Sequence, residues 1–188
     1  MITYLSRRLT QHLCRKSIIE EDKAEIYQYG YEVFISGMLG FLIAGIIGAV
    51  SGNFPEAIIF LLFFVPLRQL CGGYHADSYL KCNIVFTAVF SVILIIASIL
   101  PEKAFPFIIL FSALFTFGVM LWLSPVENEN KPLDSEQIKV NRRKCLILTP
   151  ILSGASAFLG IFSTKYAVTA SLTLLAVAVL MIAAGRKK

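Results

Sequence analysis

The chain has 188 residues, of which 57% are hydrophobic and 15% charged, and its mean hydropathy is +0.75. One soluble core of this length cannot hide so much apolar surface, which excludes an ordinary soluble domain and makes lipid the expected solvent. Seventeen basic against twelve acidic side chains give a net charge of +5, but the basic residues cluster at the ends of apolar runs, which points to anionic headgroups and away from nucleic acid.

Residues 1–32 carry Arg7, Arg8, Arg15, Lys16 and Lys23 without a continuous apolar core, so no cleavable signal peptide is expected. Ile2, Leu5, Leu9 and Leu13 recur at helical spacing, with Arg7, Arg8, Gln11 and Arg15 on other faces. That pattern fits an amphipathic helix in the headgroup layer, with an ordinary helix packed on the rest of the chain as the alternative.

Crossing the hydrocarbon takes roughly 20 apolar residues as a helix. Val33 to Gly52, Phe54 to Leu67, Ile84 to Leu100, Pro106 to Leu123, Cys145 to Ser163 and Tyr166 to Ala184 approach that length. The second is short, and either borrows Arg68 to Leu70 by snorkelling or ends as a re-entrant element. The expected fold is therefore an all-α integral membrane protein of about six transmembrane or partly re-entrant helices, plus the N-terminal interfacial helix. It forms a single membrane domain: an N-terminal segment 1–32, a helical region 33–184 with a loop at 68–83 and a polar loop at 124–144, and a basic tail at 185–188. With the N-terminus inside the cell, fifteen Lys and Arg residues fall on the inner side and two on the outer. This asymmetry predicts cytoplasmic termini and a cytoplasmic 68–83 loop. Arg68 or Lys81 at mid-bilayer would cost about 2.5 to 3.5 kcal/mol each, so that loop is expected at the inner interface or in a hydrated cavity.

Within the first span, Ser36, Gly40, Ala44, Gly48 and Gly52 place a small residue at every fourth position. Such a stripe admits a close helix neighbour, either a second copy in a homodimer or another span of the same chain. The polar loop changes from Glu127, Glu129, Asp134 and Glu136 to Lys139, Arg142, Arg143 and Lys144. Its basic half marks the inner end of the fifth span, and its acidic half is either a solvated loop or a holder for a basic peptide. Four cysteines, Cys14, Cys71, Cys82 and Cys145, lie in or beside segments placed on the reducing side, so no disulfide framework is expected. Neither a metal-ligand cluster nor a phosphate-binding loop stands out, and no cofactor is expected.

Chemistry concentrates between Arg68 and Cys82. A cysteine nucleophile acts as the thiolate, and an imidazole can take its proton and later protonate a leaving amine. His75 and Cys82 supply both groups. Seven residues along a straight helix is about 10.5 Å, too far for proton transfer, so the segment must bend. Gly72 and Gly73 provide the freedom, and Asp77 or Ser78 is a credible N-cap for a helix that carries Cys82 near its positive end. The first amides of that helix, or those of Gly72 and Gly73, are candidates to hold an oxyanion. Asp77, Ser78 and Glu32 are the candidates for a third, orienting group. Cys71 competes with Cys82 as nucleophile, but it precedes the glycine pair with no helix start behind it. Cys14 and Cys145 read as small apolar residues.

Arg68, Gly72-Gly73-Tyr74-His75-Ala76 and Cys82, followed by a long apolar span, resemble the accessory gene regulator protein B (AgrB) family. The layout of basic N-terminal segment, motif between the second and third spans and about six membrane segments agrees with it over most of the chain. The resemblance implies a membrane cysteine endopeptidase of a Gram-positive bacterium, with His75 and Cys82 catalytic and Arg68, Gly72 and Gly73 flanking them. It implies that a short amphipathic, AgrD-like precursor peptide is cut through a Cys82 acyl-enzyme and closed into a thiolactone or lactone quorum-sensing signal. Read from the residues alone, a small transporter or channel subunit and a non-catalytic membrane scaffold remain the alternatives. Against transport, no span carries a charge near its middle.

Overall fold

The structure is a computed structural model that describes residues 2–72, 78–126 and 134–185. Among those residues there are seven α-helices: α1 (Ile2–Arg15), α2 (Ala24–Val50), α3 (Phe54–Cys71), α4 (Tyr79–Ile99), α5 (Phe105–Leu123), α6 (Ser135–Leu159) and α7 (Thr164–Gly185). Short 3₁₀ turns, Glu21–Lys23 and Glu102–Ala104, lead into α2 and α5. The chain is all-α. Local chemistry sets the breaks. Gly52 takes a φ of +69° in the turn that closes α2, and Pro55 and Pro106 sit in the first turns of α3 and α5, where a missing amide proton costs nothing.

Five of the helices are long and apolar enough to cross a membrane: α2, α3, α4, α5 and α7. All six expected segments form helices, and five of them are apolar over a full crossing length. Helix α3 continues through Arg68 to Cys71 and reaches 18 residues, so the second segment runs on through Arg68 to Leu70, one of its two expected outcomes. Helix α6 has 25 residues but the shorter apolar stretch, which begins at Cys145, after Arg142, Arg143 and Lys144, and ends with the helix at Leu159. Fifteen residues rise only about 22 Å.

Helix α7 lies at the centre, against α3, α4, α5 and α6. Apolar solvent gives helices little reason to associate, so close approach and polar satisfaction matter more than side-chain bulk. Along α7 the buried Ala167, Ala170 and Ala178 are small, and the buried hydroxyls are satisfied: Thr169 and Thr173 donate to carbonyls one turn back at 2.9 and 2.7 Å, and Ser171 lies 3.3 Å from Ser156 of α6. Its first turn is anchored by Lys165, which sits 3.2 Å from the buried carboxylate of Glu56 and also donates to Asn53. Both partners belong to the start of α3, so the α2–α3 turn and the start of α7 are locked at one end of the bundle.

The small-residue stripe faces inward over its first four residues, and Gly52 is exposed. Ser36, Gly40, Ala44 and Gly48 are buried, with Gly40 against Phe86 and Asn83 of α4 and Gly48 against Ala57 of α3. Close helix packing within the chain is the use realised here. In α1 the buried residues are Ser6 and Thr10, whereas Leu5 and Leu9 are exposed. The helix docks on α2 through small hydroxyl side chains and keeps its large apolar side chains outward, as an interfacial helix requires.

A Cβ on Gly48 would stand 2.7 Å from the Cβ of Ala57, whereas one on Gly45 meets nothing within 4 Å. Gly48→Val should therefore lower the thermal unfolding midpoint in detergent by the equivalent of about 1–3 kcal/mol, while Gly45→Ala leaves it unchanged or raises it. Equal midpoints for the two variants would contradict the packing described.

Candidate active site at the start of α4

The site gathers at the other end of the bundle, where α3 finishes and α4 begins. Phe60 and Phe64 of α3 pack with Phe86 and Phe90 of α4, at centroid separations of 4.8 Å for Phe60–Phe90 and 5.4 Å for Phe64–Phe86. One turn beyond Phe64, the Arg68 guanidinium stacks over its ring at 5.5 Å. Packing and cation–π attraction together hold the charge in place. From there Arg68 Nη2 lies 3.9 Å from Cys82 Sγ.

On the α4 side, Ser78 has an extended backbone and its side chain accepts from the Lys81 amide at 3.3 Å, so Ser78 is the N-cap. Of the two residues expected for that task, Asp77 lies outside the described residues. Cys82 is in the second half of the first turn, its own amide already donating to the Ser78 carbonyl at 3.0 Å. Its thiol is half-buried and free. A cation and a helix start thus both favour negative charge on Cys82.

Gly72 has a further part besides the expected bend. Its φ is +75°, and a Cβ there would stand 2.1 Å from the carbonyl oxygen of Val126. The Val126 amide donates to the Cys71 carbonyl at 2.9 Å, forming an isolated bridge. Only glycine permits both the left-handed φ and that approach. Gly73 and His75 lie outside the described residues, so the His75–Cys82 pairing carries no distance.

A family model for accessory gene regulator B matches residues 6–183. The chain belongs to the accessory gene regulator B family. It is 27% identical to an AgrB-like protein of Clostridium perfringens SM101 over 149 residues, which covers 77% of this chain and 70% of that one. An AgrB-like protein of Listeria innocua is 27% identical over 153 residues, 80% of this chain and 74% of its own, and a second one of C. perfringens strain 13 is 29% identical over 148 residues, covering 79% and 73%. No solved structure matches the chain. Membership places this membrane protein in the accessory gene regulator quorum-sensing system.

In this AgrB-family chain the expectation of unpaired cysteines is overturned. Cys71 and Cys145 are both fully buried, their Cα atoms are 5.8 Å apart, and they form a disulfide. Seventy-four residues separate them, so nothing local in the sequence signals the contact. Cys145 is then not merely a small apolar residue, and Cys71 is not a competing thiol. Cys14 and Cys82 are the free cysteines.

The polar loop also finds structural uses. Asp134 caps α6 in a capping box with Gln137, and Arg142 Nη2 donates to the Leu121 carbonyl at the end of α5, 3.0 Å away. Glu127 and Glu129 lie outside the described residues. Three contributors to this end were not legible from spacing. Tyr79 donates to Glu32 at 3.0 Å, Val126 bridges Gly72, and Asn83 is buried against α2 with its amide nitrogen unpartnered.

Arg68→Gln should slow alkylation of Cys82 at pH 7 by about tenfold, because the neighbouring cation is lost, and Arg68→Lys by less. Mass spectrometry of isolated membranes reads this directly, and equal rates in all three proteins would remove the thiolate-stabilising role. Without reductant, the same alkylation under denaturing conditions should label two cysteines, Cys14 and Cys82. Four should be labelled after reduction.

Proposed function

We propose that the protein is a membrane cysteine endopeptidase whose nucleophile is Cys82. The observation that carries this reading is the Arg68 guanidinium 3.9 Å from a free thiol in the capped first turn of α4. Thiolates need such electropositive, partly exposed surroundings, whereas structural cysteines are buried and inert. Family membership supports the same chemistry.

His75 is assigned as the base. It is three residues from the N-cap Ser78, and this tether keeps its Cα within about 11 Å of the cap. His75 takes the Sγ proton, and the thiolate attacks a peptide carbonyl of a short amphipathic, AgrD-like precursor. The amides of Tyr79 and Leu80 at the start of α4 are assigned as donors to the oxyanion. On collapse the C–N bond breaks, the imidazolium gives its proton to the departing amine, and the precursor remains on Cys82 as a thioester. An internal precursor cysteine then displaces Cys82 and closes a thiolactone, while a serine would close a lactone. Thioester exchange is nearly neutral, whereas hydrolysis is strongly downhill, so the cyclisation depends on keeping water out and the internal thiol aligned.

The fifteen-to-two Lys and Arg asymmetry supports placing this end of the bundle, with both termini, at the cytoplasmic face of a Gram-positive cell membrane. The outward Leu5 and Leu9 of α1 support a headgroup position for that helix, where an amphipathic substrate would also lie.

Full-length protein in anionic liposomes with a candidate precursor tests the reading. The wild type should release the C-terminal tail and carry the remaining peptide as a hydroxylamine-labile adduct on Cys82. Cys82→Ala should release nothing, and His75→Ala should be slower by 10² or more. Tail release by Cys82→Ala would falsify the assignment.

A further inference from the structure

Glu32 is a hub that joins three elements at the Cys82 end. Its Oε2 accepts from Tyr79 Oη of α4 at 3.0 Å, and its Oε1 accepts from Gln28 of its own helix at 3.3 Å. The hydroxyl of Ser6 on α1 lies 3.3 Å from the same Oε1 and 3.0 Å from the Thr3 carbonyl, so one proton serves both. Ser6 is fully buried, and Glu32 and Tyr79 are half-buried. Hydrogen bonds accepted by a carboxylate are of the stronger kind.

Tyr79 is the first residue of α4, three positions before Cys82. Residues three apart on a helix share a face, so a hold on Tyr79 fixes the rotation of the first turn and with it the direction of the thiol. A second anchor of that turn is the Ser78 cap, which sets where the helix starts but not which way it is turned. Arg68 approaches Cys82 from α3, and Glu32 restrains Tyr79 from α2 and α1. A small rotation of the first turn would separate Sγ from the guanidinium.

We infer that Glu32 and Tyr79 form a latch through which the N-terminal helix positions the Cys82 nucleophile. This rests on the endopeptidase reading for its effect on turnover, but not for its effect on the thiol. Glu32 and Tyr79 are positioning residues that need not touch substrate. The Tyr79–Glu32 hydrogen bond spans 47 residues of sequence and ties α2 to α4, and the Ser6 hydroxyl on the same carboxylate joins α1 to the working site.

The test uses full-length protein in liposomes, with Glu32→Gln, Tyr79→Phe and the double variant. Each single change should lower kcat for precursor cleavage by about ten- to a hundredfold with KM within about twofold, as expected of a misaligned nucleophile. The double variant should be no worse than the poorer single one, because both remove the same contact. Alkylation of Cys82 at pH 7 should slow in all three. Tyr79→Phe removes one oxygen and keeps the ring, so it carries the test if Glu32→Gln does not fold. Losses that multiply in the double variant, or unchanged Cys82 alkylation in Tyr79→Phe, overturn the latch. If the wild type cleaves no precursor but Cys82 alkylation still depends on both residues, the latch stands and the endopeptidase reading fails.

Discussion

The packing of Phe60 and Phe64 against Phe86 and Phe90 sets the register between α3 and α4, and the arrangement around Cys82 depends on it. Those rings fix the height at which α3 passes α4, and Arg68, one turn above Phe64, then has a single place for its head group. Ring faces satisfy part of its charge, and the Cys82 thiol lies beside it. An aliphatic contact could hold the helices equally close, but it would offer the guanidinium no surface to rest on.

Among the described residues, the Lys165–Glu56 ion pair, the helix caps and the contacts of Cys82 gather at the two ends of an apolar bundle. At one end Lys165, Glu56 and Asn53 tie the start of α7 to the α2–α3 turn. At the other are Arg68, Cys82, Glu32 and Tyr79, together with the helix caps Ser78, Asp134 and Arg142. Between them the buried hydroxyls of α6 and α7 are satisfied mainly by carbonyls of their own helices. This division follows from the solvent. A charge or an open backbone group in hydrocarbon has no water to turn to, so loops, caps and ionised side chains collect where water or another polar group can reach them.

The Cys71–Cys145 bond ends α3 against α6 immediately before Gly72 and its bridge to Val126. A reducing cytoplasm acts on thiols and disulfides that a thiolate can approach, whereas both of these sulfur-bearing side chains are fully buried. Burial therefore reconciles a disulfide with the cytoplasmic placement proposed for this end of the bundle. The segment carrying the histidine leaves α3 from a point joined covalently to α6 and hydrogen-bonded to the end of α5.

By itself the sequence determined the helical class, the membrane setting and the family, because these rest on local composition, on helical periodicity and on a short motif. The Ser78 cap was legible for the same reason, since a cap depends on residues within one turn. Only the tertiary structure decided that α3 reaches Cys71, that α6 has the short apolar stretch, and that Gly72 serves the approach of Val126. It also decided which cysteines are free. Contacts between residues 47 or 74 positions apart leave no periodic trace, and a serine, a glutamate and a tyrosine on three separate helices reveal a shared role only when packing brings them within hydrogen-bond distance.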